Sequence, residues 1–563
     1  MQTVRRLYVY LMSGISLGVL AVGLSMLVTV LFDRLGLGPT GDVLFGRDES
    51  IRQQLTLASA MTAVSLPVWL IHWLLAERSV APGRPGSDEE RSSAVRGLFF
   101  AVAFAALLLF AALSAIDLVQ SFVLRFTGDQ SFDFRNPAAA LATLLVTLVA
   151  WAYHVSLRAR DWRRGPMVRA GAWLTRLYLY LATFGGLLLL LFGITGLVEL
   201  VGRLVLDEPG AIGFEGGPWW AYPLADAVSR VLVGGSIWLG HWAYANRLQA
   251  DAGWRGSSER PARLRLAFYV AVLAAAAIFV ANFLVEGSRN GLLMLLGASE
   301  ASSAGQVGAS IVLPLVSAMP FGLAWWIHLG WMHAEAAASD DPGRPATADR
   351  LDLHAVAVVG LAFAAIGLGW MIGLLIDVLL GGNRTLGDAI FWQAEIAQFV
   401  PMTVIGSALW IWKWRRIMAA AAADPVAEAG STARRAALLF VLAASILSGI
   451  GSLGVILYLV FGSIFGIDLP GNLVSELSTP LGALIVAAAS AVYHGMVLRR
   501  DQALRADARP AEAETAVAEA PPFTIALRLS APRDADPSVV LAELRAGLPP
   551  GYTLELLPSK DAG

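Results

Sequence analysis

One pattern recurs along the chain and sets an indole and an imidazole on the same face of a helix. Trp69 stands three residues before His72, Trp151 before His154, Trp238 before His241 and Trp325 before His328. A fifth copy pairs Trp410 with Lys413, and a sixth pairs Ala491 with His494. Successive His-equivalent positions are 82, 87, 87, 85 and 81 residues apart. That regularity marks an internal repeat, each copy long enough for one helical hairpin. Seven residues before the His-equivalent stand Ser65, Thr147, Gly234, Phe321, Gly406 and Ala487, all small except Phe321. Positions i−7, i−3 and i share a helical face, so the pattern predicts a helix–helix contact that small residues let close.

Three chemistries compete for this set. Imidazole titrates near neutrality, so His72, His154, His241, His328, Lys413 and His494 form a candidate polar ring at the cytoplasmic mouth of a pathway, relaying protons or sensing pH. Lys413 departs from it, because an ammonium does not act as an imidazole. The plainer reading makes Trp69, Trp151, Trp238, Trp325 and Trp410 interface anchors at head-group level, with the histidines bonding neighbouring helices. Bis-histidine haem ligation needs two histidines on facing helices at one depth. Trp-x-x-His is not specific for haem, and no cofactor is expected.

Acids close most of the odd-numbered helices: Asp33, Asp117, Glu199, Glu286 and Asp377, with Tyr458 in the sixth copy. They read as an outer acidic collar where helices leave the lipid, or as a vestibule that concentrates cations. Glu199 and Arg203, at i and i+4, are spaced for an ion pair.

The elements that carry these residues follow from composition. Of 563 residues 57 % are hydrophobic and 15 % charged, with mean hydropathy +0.64 and net charge −2. A soluble globule of this size needs more charged surface, so a bilayer must supply much of the solvent. Nucleic-acid binding is excluded as a leading reading, and the lack of cysteine excludes disulfides, thiolate zinc sites and iron–sulfur clusters. Twelve segments are long and apolar enough to span: 5–32, 55–76, 95–120, 138–157, 173–202, 226–246, 263–285, 308–333, 351–380, 394–414, 433–462 and 477–498. The first is too long for a cleaved signal core and is expected to stay as an anchor. Of 41 Lys and Arg, 26 fall at the N-terminus, in loops on its side or at the end of the last helix, 9 on the opposite side and 6 in the tail. This predicts both termini in the cytoplasm of a bacterium, with the chain multi-pass in the inner membrane.

The expected fold is all-α: a polytopic membrane bundle of twelve helices in six parallel hairpins, at 1–90, 91–170, 171–258, 259–346, 347–430 and 431–503. A closed ring and three groups of four helices both remain open. An Ala/Glu/Pro-rich stretch, 504–521, reads as a disordered linker, and 522–558 as a small cytoplasmic β-α-β segment whose helix starts at Asp536. Pro67 and Pro320 fall inside helical stretches and should kink them.

Odd-numbered helices open with arginine and aromatics: Arg6-Leu-Tyr8-x-Tyr10, Arg96 with Phe99 and Phe100, Arg176-Leu-Tyr178-x-Tyr180, and Arg265 with Phe268 and Tyr269. With the hairpin that follows, this resembles a bacterial membrane family, domain of unknown function 5671, in repeated copies over most of residues 1–500. The resemblance implies a membrane fold and brings no catalytic residues. No Walker loop, His-Glu-x-x-His or nucleophile elbow is present, so neither an enzyme nor a metal site is expected. The concrete functional expectation is a transporter- or channel-like bundle. Its alternative is a structural or assembly protein whose C-terminal tail recruits a protein partner or a second copy, with the lipid bilayer as the main partner of both.

Overall fold

Backbone amides in lipid have no partner but a carbonyl of their own helix, and long apolar runs fold accordingly. The computed structural model describes residues 2–37, 47–129, 135–165, 169–208, 217–260, 263–299, 301, 303–381, 389–467, 472–519 and 536–546, and contains no strand among them. The helices are α1 (Gln2–Arg34), α2 (Arg47–Ser79), α3 (Ser87–Arg91), α4 (Ala94–Thr127), α5 (Pro137–Arg163), α6 (Arg169–Leu206), α7 (Ala221–Ala250), α8 (Trp254–Glu259) and α9 (Arg263–Leu295). There follow α10 (Ala304–Val307), α11 (Leu313–Ser317), α12 (Met319–Ala337), α13 (Arg344–Ile376), α14 (Ala389–Ala423), α15 (Pro425–Gly430), α16 (Thr432–Ile464), α17 (Leu473–Glu519) and α18 (Pro537–Ala546).

Eleven helical segments among the described residues are long and apolar enough to cross a membrane. The helix α7 is not among them, because Asp226, Arg230, His241, Asn246 and Arg247 dilute its apolar run. The segment expected at 308–333 is interrupted. A π-helix, Gly308–Val312, joins α10 to α11, and a break at Ala318 precedes Pro320, which opens α12. Proline withholds the amide that would continue the ladder. Pro67, by contrast, lies within an unbroken α2. Large apolar side chains such as Val64, Leu109 and Leu447 are exposed, as a lipid-facing surface requires.

The long helices group in fours. In the first quartet α1 packs on α2 and α5, and α4 on α5; in the second α6 packs on α7 and on α11 and α12, and α9 on α12. In the third α13 packs on α14, meets α17 through Gly369 and Gly482, and α16 bonds α17 through Ser445 and Ser490 at 2.9 Å. The quartets follow one another: α4 lies on α6 and α7, and α9 on α13 and α14. Two of the small positions read from sequence are also close contacts. A Cβ at Gly234 would stand 2.4 Å from the Leu190 nitrogen, and one at Gly406 2.3 Å from the Ala364 nitrogen, so backbones touch there.

Two compact bodies divide the chain, 1–505 and 506–563. The helix α17 runs on to Glu519, so the backbone of most of 504–521 is helical where composition suggested a disordered linker. Alanine and glutamate, which fill this stretch, are strong helix formers. In the second body α18 begins as expected at Asp536, whose carboxylate accepts from the Ser538 amide at 2.8 Å and hydroxyl at 2.6 Å. These bonds hold the Asp536 carboxyl below its ordinary range. The two strands expected within 522–558 lie outside the described residues.

Candidate functional site

The six His-equivalents separate into two kinds. His72, His241 and Lys413 stand on the second helix of each quartet; His154, His328 and His494 stand on the fourth. Each of these five histidines directs Nδ1 at the carbonyl four residues back, at 2.7–2.9 Å. A carbonyl only accepts, so Nδ1 donates and Nε2 of the neutral ring faces outward as an acceptor.

On the second helix, each group meets the residue two places after the arginine that opens the first. His72 Nε2 is 3.3 Å from the Tyr8 hydroxyl, and His241 Nε2 is 2.9 Å from that of Tyr178. In the third quartet Lys413 Nζ lies 2.8 Å from Asp352. A neutral Tyr–His pair has become an Asp–Lys ion pair, which explains the one departure in the histidine series. Trp151 reaches across from the preceding quartet and donates Nε1–H to Tyr178 at 3.0 Å. Trp325 does the equivalent for Lys413, its ring 5.5 Å from the ammonium.

On the fourth helix the imidazoles are walled by rings. His154 lies among Trp73, Phe99, Phe100 and Tyr153, and His328 among Trp242, Phe268, Tyr269 and Trp331. His494 keeps Trp414 and Tyr493, but Ala437 stands in register where Phe99 and Phe268 do. A void of about 10 Å³ lies there, lined by His354, Trp410, Ala437 and His494 among others. The structure thus distributes the expected ring over separate contacts. Trp69, Trp238, Trp325 and Trp410 are not placed as water-facing anchors by their N–H groups, which are buried without a partner among the described residues.

Beneath the histidines lies a set of ionic nodes that sequence reading did not assemble. Arg96, Arg265 and Arg434 open the third helix of each quartet and are fully buried. Seven residues past each fourth-helix histidine stands their acid: Asp161, Glu335 or Asp501. Arg96 Nε lies 2.8 Å from Asp161, Arg265 Nε 2.8 Å from Glu335, and Arg434 Nε 2.7 Å from Asp501. Arg96 also bonds Glu77 at 2.9 Å and the Tyr10 hydroxyl at 3.1 Å. Arg265 bonds Asn246 at 2.8 Å and lies 4.5 Å over the Trp242 ring.

A second bridge repeats as faithfully. Arg6, Arg176 and Arg350 each pair with a glutamate on the short helix between hairpins: Glu90 at 2.5 Å, Glu259 at 2.6 Å and Glu428 at 2.7 Å. The openings at Arg6, Arg96, Arg176 and Arg265 were legible. Their partners were hidden because they stand 65 to 84 residues away. The constant seven-residue offset from histidine to acid was the available signal.

The outer acids do not converge. Asp117 pairs with Arg135, and Glu199 with Arg203 at 2.9 Å, as its spacing suggested. Glu286 is exposed, Asp33 half-buried and Asp377 buried at the start of a π-helix. No group of three or more His, Cys, Asp or Glu is arranged to hold a metal among the described residues. The arrangement therefore fixes helices to one another at one end of each quartet, through pairs whose charges are mutually satisfied.

Comparison with known proteins agrees with a unit of four helices. The model of a domain of unknown function (DUF5671) matches three times, at residues 6–149, 176–323 and 350–489, one match per quartet. Neither curated proteins nor solved structures give a match. Since the three matches cover most of its length, the chain belongs to the DUF5671 family, carrying the domain in three consecutive copies.

Proposed function

We propose that the chain is a non-enzymatic membrane scaffold of twelve spans in a bacterial inner membrane, with both termini cytoplasmic. In this reading α7 is the twelfth span, shielded between α6 and α4, and all six hairpins face the same way. The segment beyond residue 505 recruits a protein partner or a second copy.

The observation that carries the reading is the fate of the ionisable groups. A path for polar solutes needs polar groups along a continuous lumen. Here the histidines, Lys413 and the buried arginines are each occupied by their own backbone, by a neighbouring helix or by aromatic walls. The two larger cavities, of about 740 and 270 Å³, are lined by apolar side chains with a minority of hydroxyl and amide groups, and no charged side chain lines either.

The test is reconstitution of the full chain in liposomes with a panel of ion-flux assays. The scaffold reading expects no flux above protein-free vesicles. Flux that disappears when His72, His154, His241 and His328 are all changed to Ala would overturn it in favour of a proton-relaying transporter. Flux that survives those changes would overturn it in favour of another transport path.

A further inference from the structure

The three quartets differ at one place midway along their long helices. In the second, four rings form a plug between its first, third and fourth helices. Phe321 is fully buried and lies 4.7 Å from Phe279, 5.4 Å from Phe192 and 6.2 Å from Phe283, centroid to centroid. Counting from the opening arginines and the fourth-helix histidines gives the equivalents elsewhere. Phe192, Phe279 and Phe321 correspond to Val22, Phe110 and Thr147 in the first quartet, and to Ile366, Ser448 and Ala487 in the third. All six of these residues line the two larger cavities. The grooves are thus one site, filled by the protein's own side chains in the middle copy and opened on either side where smaller residues stand in place of Phe192 and Phe321. Phe321, the exception among the small residues of the sequence pattern, is the stopper.

From this we infer that the first and third quartets each hold an acyl chain of a membrane phospholipid in the place that the second fills with phenylalanine. Three observations select that occupant. The first groove lies between segments apolar enough to span, Thr3–Arg34, Ser87–Thr127 and Pro137–Arg163, so lipid tails are what meets its mouth. It follows α1 from Leu7 to Thr29, about 33 Å at 1.5 Å per residue, so the groove runs the depth of a hydrocarbon core and a single tail, about half that depth, fits within it. Apart from Tyr10, whose hydroxyl accepts from Arg96, and Thr147, which bonds its own helix, its polar lining gathers toward one end, at Ser25, Thr29, Gln54 and Thr143. There a lipid's ester oxygens meet the Gln54 amide, whose second N–H is left over from its contact with the Met26 carbonyl, while the tail runs along Gly14, Gly18 and Ala103.

The test uses the full chain extracted from vesicles of dioleoylphosphatidylcholine and examined by native mass spectrometry. The wild type is expected to retain phosphatidylcholine. Val22→Phe with Thr147→Phe, which copies the middle plug, should lower the retained population several-fold, and Ala487→Phe should do the same for the third groove. Phe321→Ala should open the middle site and raise the maximum number retained by one. Val64→Phe, on an exposed face, should change nothing. If the double variant does not fold, Ala487→Phe and Phe321→Ala still decide. No lipid on the wild type, or equal retention by wild type and plugged variants, overturns the inference. It does not depend on the scaffold reading, since lipid retention and ion flux are separate readouts.

Discussion

The first and third quartets satisfy the same positions with different numbers of charges. In the first, Arg96 is shared by two carboxylates and a tyrosine, while the neighbouring Tyr8–His72 contact has no carboxylate and is partly exposed. In the third, Met418 stands where Glu77 does, and Arg434 keeps Asp501 alone through two nitrogens at 2.7 and 3.3 Å. The Tyr–His contact has become Asp352–Lys413, buried on both sides. What each position demands is a matched partner, and residue types have changed in pairs. A lone change would leave an uncompensated group in a medium where that is costly.

The largest test of this contrast is Arg96→Ala. It strands Asp161, which is fully buried, and takes one of two guanidinium partners from Glu77, which keeps Arg160; removing one partner of a buried pair typically costs about 3–5 kcal/mol. Arg434→Ala strands a single carboxylate and should cost less. Thermal unfolding of the purified chain in detergent reads the difference, and equal losses would mean that the two nodes are not graded by charge count.

Next comes Lys413→Ala, which leaves Asp352 unpaired and should cost a similar few kcal/mol, on the order of 3. The compensated change, Asp352→Tyr with Lys413→His, copies the other quartets and should recover most of that loss. Failure of the double change to recover would break the equivalence of the three contacts. A smaller effect separates the first two quartets. Tyr178→Phe removes a hydroxyl bonded to both His241 and Trp151, an expected loss of about 1–3 kcal/mol. Tyr8→Phe removes one 3.3 Å contact at a partly exposed site and should stay within about 0.5 kcal/mol.

Much of this architecture was legible because it is periodic. Apolar runs located the long helices, the histidine intervals located the repeat, and Gly234 and Gly406 marked backbone contacts before any coordinates. Three features were not legible in one copy at a time. Lys413 looked like a loss until Asp352, 61 residues earlier, was brought beside it. The acids Asp161, Glu335 and Asp501 stand just past the apolar segments, and nothing local says that a guanidinium 65 to 70 residues away will be buried against them. The grouping of the hairpins, left open between a ring and three groups of four helices, was the third: second-helix and fourth-helix histidines have different surroundings, and the family domain matches once per four helices. Periodicity reports which face a residue occupies, whereas long-range pairing decides what that face meets.

The missing tryptophan of the sixth copy gives the finest test of the same logic. Trp151 and Trp325 sit on the last helix of one quartet and cover the polar pair of the next, at Tyr178 with His241 and at Lys413. Ala491 stands where Trp151 and Trp325 do, and among the described residues no Tyr–His or Asp–Lys pair of this kind lies beyond it. Trp325→Phe keeps most of the apolar bulk but weakens the ring's hold on the ammonium, an expected cost of about 0.5–1 kcal/mol. Ala491→Trp restores the repeat's residue at a site without a receiver and should shift stability by less than about 0.5 kcal/mol. A clear stabilisation by Ala491→Trp, measured on the same detergent-solubilised protein, would show that something does receive that indole. The nearest receiver of matching chemistry is a Tyr8–His72 pair, which places a second copy of the chain, or the chain's own first quartet, beside the third.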